Sequence, residues 1–196
     1  SHSSYVVHFG NAAIHTAFTS DSGDVTTWLD GIGDSAGAVG RVIVGLDIEW
    51  RPHNSQYYNP AATLQICVGD NCLIFQLLHA DRIPPSLIDF MSSRRNIFVG
   101  VGIESDLGML QSDYNFGFGV NWKDLRTLAA DKYGMEDLKR SGLKRLANMI
   151  LNIDMEKPED VTRSRWDDQY LSGDQIKYAA VDAYACFEIG RALIAS

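Results

Sequence analysis

Asp47 and Glu49 stand two residues apart in Arg41 to Trp50, the strongest strand-like run of the chain. Side chains of a strand alternate between its faces, so both carboxylates point one way and Ile48 points the other. Carboxylates inside an apolar strand are costly to bury unless something neutralises them, and a divalent cation would. The plainer alternative puts them at an exposed strand end, with Trp50 and Arg51 marking the exit. Asp106 follows a second strand-like run, Asn96 to Val101, and the small-residue turn Gly100-Val101-Gly102. It falls in the first turns of a helix, where a carboxylate also suits the helix dipole. Glu104 and Asp113 compete with it by residue type. The small turn, which would admit close approach of a ligand, favours Asp106. Tyr178 and Asp182 lie four apart near the C-terminus and share one helical face. A core tyrosine tied to Asp182 accounts for that pair as well. It leaves open why an aspartate sits among Val181, Ala183 and Ala185.

The elements that must position these groups follow from periodicity and turn chemistry. Tyr5 to Phe9 and Ala13 to Thr19 have strand character, and Thr16 to Asp24 is turn-like and acidic. Val25 to Ile32 reads as a short helix, and Gly31, Gly33, Gly37 and Gly40 with Ser35 as a loop. The near-continuous apolar character of Arg41 to Trp50 predicts a strand buried on both faces, ended by Pro52. Thr63 to Val68 and Cys72 to Gln76 predict an antiparallel hairpin. Pro84-Pro85 opens a helix to about Ser92, where a missing N–H is harmless. Further helices are expected over Glu104 to Gln111, Trp122 to Tyr133 and Gly142 to Leu151. Met155 to Asp168 reads as irregular, and Ser172 caps a long last helix through Ile194. Strands first, then alternation, then helices predict an α/β fold with a mixed sheet. The chain has no internal repeat or Pro-rich linker, so one domain is expected over residues 1–196.

Composition narrows the classes. Hydrophobic residues make up 45% of the 196, enough apolar material to exclude disorder as the dominant state. No apolar run reaches the roughly 18 residues that span a bilayer, so no membrane helix is expected. SHSSYVV lacks a basic segment followed by an apolar one, so no secretory signal is read there. The net charge of −8 argues against non-specific grip on nucleic acid, which needs clustered cations. It leaves room for a nucleic-acid enzyme if some carboxylates are metal ligands. Cys67, Cys72 and Cys186 sit in apolar surroundings and are expected as reduced thiols in a reducing, intracellular compartment, nucleus or cytoplasm. Cys67 and Cys72 flank a turn, which leaves a cross-strand disulfide as an alternative.

Taken together the motifs resemble the DEDD superfamily of 3′–5′ exonucleases. Tyrosine with three intervening residues before Asp182 is similar to its DEDDy branch. Gly45-Leu46-Asp47-Ile48-Glu49-Trp50-Arg51-Pro52 resembles the first motif of Werner-type exonuclease domains. Val99-Gly100-Val101-Gly102-Ile103 with Asp106-Leu107 resembles the second. Lys157-Pro158, Ser164-Arg165-Trp166, Leu171-Ser172 and Gln175 to Tyr184 resemble the third with its lead-in. The resemblance covers about residues 42–193. It implies a ribonuclease-H-like fold, a five-stranded mixed sheet with helices on both faces. It also implies that Asp47, Glu49, Asp106 and Asp182 hold two divalent cations, Mg²⁺ or Mn²⁺, which suit hard oxygen ligands. Two such ions about 3.5–4 Å apart activate a water and stabilise the leaving 3′-oxygen. Tyr178 would orient that water, since an unperturbed phenol with a pKa of about 10 is a poor base.

The implied reaction is hydrolysis of phosphodiesters from a 3′ end, DNA favoured over RNA. Trp50, Trp166 and Tyr170 are candidates for base stacking, with core packing as the alternative. Lys157 and Arg163 are candidates for phosphate contact, as is the basic cluster Lys139, Arg140, Lys144 and Arg145, although a charge run is more often a solvated helix face. His53 reads as an exposed loop residue. Ser105 stands where many relatives have Gly, a tolerable departure. No helicase motif or extra basic domain is present, so a stand-alone, plant-type exonuclease domain is expected. Its grip on nucleic acid would come from elsewhere, and a homo-oligomer is one source the sequence leaves open. The rivals are a binding or scaffold protein on the same fold and an RNA-trimming enzyme of the ribonuclease D kind.

Overall fold

The computed structural model describes residues 2–35 and 40–194. Among them, seven strands form one mixed sheet: β1 (Ser3–Phe9), β2 (Ala12–Thr19), β3 (Val42–Glu49), β4 (Thr63–Val68), β5 (Asn71–Phe75), β6 (Asn96–Gly100) and β7 (Trp122–Asp124). Their spatial order is β1-β2-β5-β4-β3-β6-β7. Seven α-helices, α1 (Ser22–Ser35), α2 (Pro85–Ser92), α3 (Ile103–Tyr114), α4 (Leu125–Tyr133), α5 (Leu143–Leu146), α6 (Glu159–Thr162) and α7 (Gly173–Ile194), lie beside it. The α/β class and the mixed sheet are as expected, but the strand count is seven and not five. The hairpin β1–β2 adds to one edge through a parallel pairing of β2 with β5. On the other edge, three residues expected as the start of a helix instead pair with β6 as β7. Three residues of backbone pairing are too short to show a period in sequence.

Other boundaries moved as well, and α6 lies within the stretch Met155 to Asp168 that reads as irregular. Gly31 to Ser35 belong to α1 rather than to a loop, and Gly37, also read as loop, lies outside the described residues. The helix expected over Gly142 to Leu151 is α5 followed by a π turn, Ala147–Leu151, which ends at Asn152 with positive φ.

The sheet separates two cores. On one face β3 turns Val44, Leu46 and Ile48 toward a cluster with Val25, Leu29, Leu87, Met91, Ile103 and Leu107, contributed by α1, α2 and α3. On the other face lies α7, packed across β3, β4, β5 and β6. The approach there is very close. A Cβ on Gly45 would lie 2.3 Å from the Ala183 carbonyl oxygen and 2.7 Å from the Phe187 nitrogen. Glycine on the strand and alanines at 179, 180 and 183 on the helix thus let the two backbones nearly touch. A reciprocal capping box starts this helix. Ser172 Oγ accepts from Gln175 N at 3.1 Å, and Gln175 Oε1 accepts from Ser172 N at 2.9 Å.

Candidate active site

The contact of α7 with β3 brings together carboxylates that lie far apart in sequence. Asp47, Glu49 and Asp182 each place a carboxylate oxygen within 4.8 Å of the other two. Asp47 and Glu49 share the α7 face of β3 at its open end, as strand periodicity predicts. Asp182 enters from one turn before Cys186 and is 5% exposed. Asp47 and Glu49 are half-buried and Asp182 is buried. Asp47 Oδ2 is shut from solvent without a hydrogen-bond partner among the described residues.

Burial and mutual repulsion govern the charge of this group. Burial first, then the Asp182 charge, push Asp47 up to about 7. Burial and the Asp47 and Asp182 charges push Glu49 well above the carboxylate range. Burial also raises Asp182, opposed by Lys157 and by a hydrogen bond from the Tyr178 hydroxyl. Lys157 Nζ donates to Asp182 Oδ2 at 3.3 Å and lies 5.6 Å from the centre of the Tyr178 ring. Burial alone would lower Lys157, but the Asp182 and Asp47 charges outweigh it and hold the ammonium above its usual value. Tyr178 is pushed up by burial and by the three carboxylates, so its phenol keeps its proton.

Asp106 stands near this group but not within it. It is 7% exposed in the first turn of α3, and burial with the Asp47 charge raises it to about 9. The turn before it has a structural explanation. A Cβ on Gly100 would lie 2.8 Å from the Leu46 carbonyl, and Gly102 has a φ of +68°. These glycines serve backbone approach to β3 and the start of α3, and so set Asp106 beside Asp47. Asp124 completes the turn by accepting from Gly102 N at 3.0 Å while holding Arg126. Of the competitors, Asp113 accepts from the Tyr58 hydroxyl and Ala61 N, away from the group, and Glu104 is exposed.

The substrate contacts divide. Trp166 is a correction: it is 1% exposed, and its indole N–H donates to the Thr162 carbonyl, so no face remains for a base. Trp50 is half-buried and begins a run of near-parallel rings, with His53 at 6.3 Å and Tyr58 a further 4.8 Å on. Asn59 N donates to His53 Nδ1, fixing the middle ring. Tyr58 and Tyr170 are 60% and 85% exposed, so both offer ring faces to solvent. Arg163 lies 4.0 Å from Glu159. In the basic cluster, Lys139, Lys144 and Arg145 lie against Glu136, Asp154 and Asp137, the pattern of a solvated helix face. A cleft of about 610 Å³ opens beside Tyr178 and Asp182 toward His8 and Phe9, with Asp154, Glu156, Asp160 and Asp174 among its lining.

The sequence reading passed over two residues here. Thr63 and Gln65 are fully buried beside Glu49 and Asp47 in the sheet. The available signal was a glutamine in the middle of an otherwise apolar strand.

Carboxylate oxygens converging in a buried group, one of them unpaired, are a donor set that fits a hard divalent cation. A family model described as 3′–5′ exonuclease matches residues 34–194, and the chain belongs to that family. A 3′–5′ exonuclease of Arabidopsis thaliana is 37% identical over 160 residues, covering 79% of this chain and 53% of the relative. The bifunctional 3′–5′ exonuclease/ATP-dependent helicase WRN of Mus musculus is 29% identical over 149 residues, 73% of this chain and 10% of that protein. The chain thus spans about half, or less, of the curated relatives named here. The fold matches that of Escherichia coli RNase D with a TM-score of 0.73 at 15% identity, over 91% of this chain and 44% of that one. Among the described residues no helix is long and apolar enough to cross a membrane.

Proposed function

We propose that residues 1–196 act as one exonuclease domain that hydrolyses phosphodiester bonds from the 3′ end of nucleic acid, DNA in preference to RNA. The observation that carries this reading is the convergence of Asp47, Glu49 and Asp182 within 4.8 Å at the junction of β3 and α7. With Asp106, these residues would hold two divalent cations, Mg²⁺ or Mn²⁺. Bound there, the ions would supply Lewis-acid activation of water and stabilise the leaving oxygen.

The residues of the chain itself do the rest. Tyr178 retains its proton and orients the attacking water through its hydroxyl, rather than acting as a base. Lys157 neutralises Asp182 and stands within reach of a phosphate brought to the carboxylates. Trp50 offers the stacking surface nearest Glu49, and the His53 and Tyr58 rings extend it outward. Four carboxylates line the cleft beside Tyr178 and Asp182 and disfavour a second phosphate there, so the strand is read as running past Trp50 and Arg51. The preference for DNA rests on the likeness of the motifs to Werner-type domains. Three buried, unpaired thiols fit work in a reducing compartment, nucleus or cytoplasm.

The test uses a 5′-labelled single strand and a recessed duplex, each as DNA and as RNA, with Mg²⁺, Mn²⁺ or EDTA. The expected result is a metal-dependent ladder of shortened DNA that Asp47→Ala abolishes. A ladder on RNA alone would reassign the substrate. No ladder from folded protein on any substrate would overturn the enzyme reading.

A further inference from the structure

Five buried side-chain oxygen or nitrogen atoms have no hydrogen-bond partner among the described residues, and four of them share one patch. They are Asp47 Oδ2, Thr63 Oγ1 and both amide atoms of Gln65. The register of β3 against β4 sets Gln65 opposite Asp47 and Thr63 opposite Glu49. Directly opposed residues of neighbouring strands share a face, with Cβ atoms about 4.5–5.5 Å apart. Each of the two strand carboxylates therefore has a polar neighbour of its own, 0% exposed, on the face covered by α7. Strand packing does not account for that choice. Leucine or methionine would fill the space of Gln65 without burying an unsatisfied amide, and valine would fill that of Thr63. Elsewhere β4 is apolar: Leu64 and Ile66 on the far face, Cys67 next on the near one.

We propose that Gln65 and Thr63 are positioning residues for the metal-holding carboxylates, Gln65 Nε2 donating to Asp47 Oδ2 and Thr63 Oγ1 to Glu49 when those carboxylates carry a cation. The inference rests on the metal reading above. A carboxylate that binds a cation through one oxygen rotates unless its other oxygen is held, and buried donors beside it supply that restraint. Asp47 Oδ2, Gln65 Nε2 and Thr63 Oγ1 are all without a partner among the described residues. A cation on the carboxylates keeps both ionised, and an ionised carboxylate is the stronger acceptor for the donors alongside. Gln65 is then an adjunct of Asp47 supplied by the next strand.

The test is Mn²⁺ binding to the full chain by calorimetry, beside thermal unfolding in EDTA, for wild type, Gln65→Met, Thr63→Val and Thr63→Ser. Gln65→Met is expected to weaken Mn²⁺ by about 10–100-fold. Its unfolding temperature in EDTA should stay level or rise, because an unsatisfied amide is gone. With nucleic acid, kcat should fall at fixed Mn²⁺ and recover as Mn²⁺ is raised, while KM holds. Thr63→Val should weaken Mn²⁺ and Thr63→Ser should keep it. Wild-type affinity in Gln65→Met overturns the proposal, as does a fall in its unfolding temperature in EDTA that accompanies the loss. If wild type binds no Mn²⁺, the metal reading itself fails and the proposal with it.

Discussion

The two faces of the β3–β4 pair are built from neighbouring residues to opposite ends. Toward α1, α2 and α3, the strands present Val44, Leu46, Ile48, Leu64 and Ile66, all buried and apolar. Toward α7 they present Gly45, Asp47 and Glu49 beside Thr63, Gln65 and Cys67. The first face closes a hydrophobic core, where burial of each large side chain stabilises by about 1.5–3 kcal/mol. The second holds carboxylates forced toward their neutral form and polar atoms without partners. The difference shows a division of labour one side chain thick. The apolar face holds the fold together and carries the cost of a face kept ready for a cation.

If that division is right, changes on the two faces should separate activity from stability. The largest effect is expected from Asp182→Asn: exonuclease activity should fall on the order of 10³-fold, the scale of losing an electrostatic stabiliser of the transition state. Thermal unfolding in EDTA should meanwhile hold or improve, because the substitution relieves repulsion among buried carboxyls. Loss of stability with unchanged activity would break the comparison.

Gly45→Ala joins the faces. Its Cβ would meet the backbone of Ala183 and Phe187, so it should cost roughly 3 kcal/mol or more, at the upper end for overpacking. It should also remove activity by moving Asp182 away from Asp47. Denaturant unfolding and the exonuclease assay read both effects.

Ile66→Ala, on the apolar face, should destabilise by about 2–5 kcal/mol while the protein that remains folded keeps its kcat. A loss of kcat at temperatures where the variant is fully folded would show that the faces are coupled.

The smallest effect concerns pH. Asp47 at about 7 and Asp106 at about 9 both lie above the ordinary 3.8. The folded chain therefore binds more protons than the unfolded one between those values. The stability they contribute is complete below pH ~4 and is lost as pH rises through the folded values. In EDTA the unfolding temperature should drop by on the order of several degrees between about pH 5 and pH 8. Mn²⁺ should reverse the trend, since its binding displaces those protons. A flat profile would mean that the carboxyls are not held as the burial implies.

Much of this site was legible in the residues. D-x-E on a strand and Tyr178 with Asp182 on a helix obey local periods of two and of about four. The structure brings Asp47, Glu49 and Asp182 together, with Lys157 over the Tyr178 ring and Asp106 outside the group. Trp166 and β7 were misread for lack of a local signal. A tryptophan in a core and one on a surface have the same sequence neighbours, and a three-residue strand shows no period. Gln65 went unremarked because its meaning depends on which residue of β3 lies opposite.

The sequence by itself determined which side chains share a face of their own element. It also placed the small residues, Gly45 with Ala179, Ala180 and Ala183, that permit a helix and a strand to touch. Only the tertiary structure decided the rest. It set Asp182 against Asp47, placed Asp106 just outside that group, turned Lys157 onto Asp182 and paired Gln65 with Asp47. Those relations depend on strand register and on the packing of α7 across the sheet. Both are set by contacts between segments far apart in the chain, where no local spacing carries information.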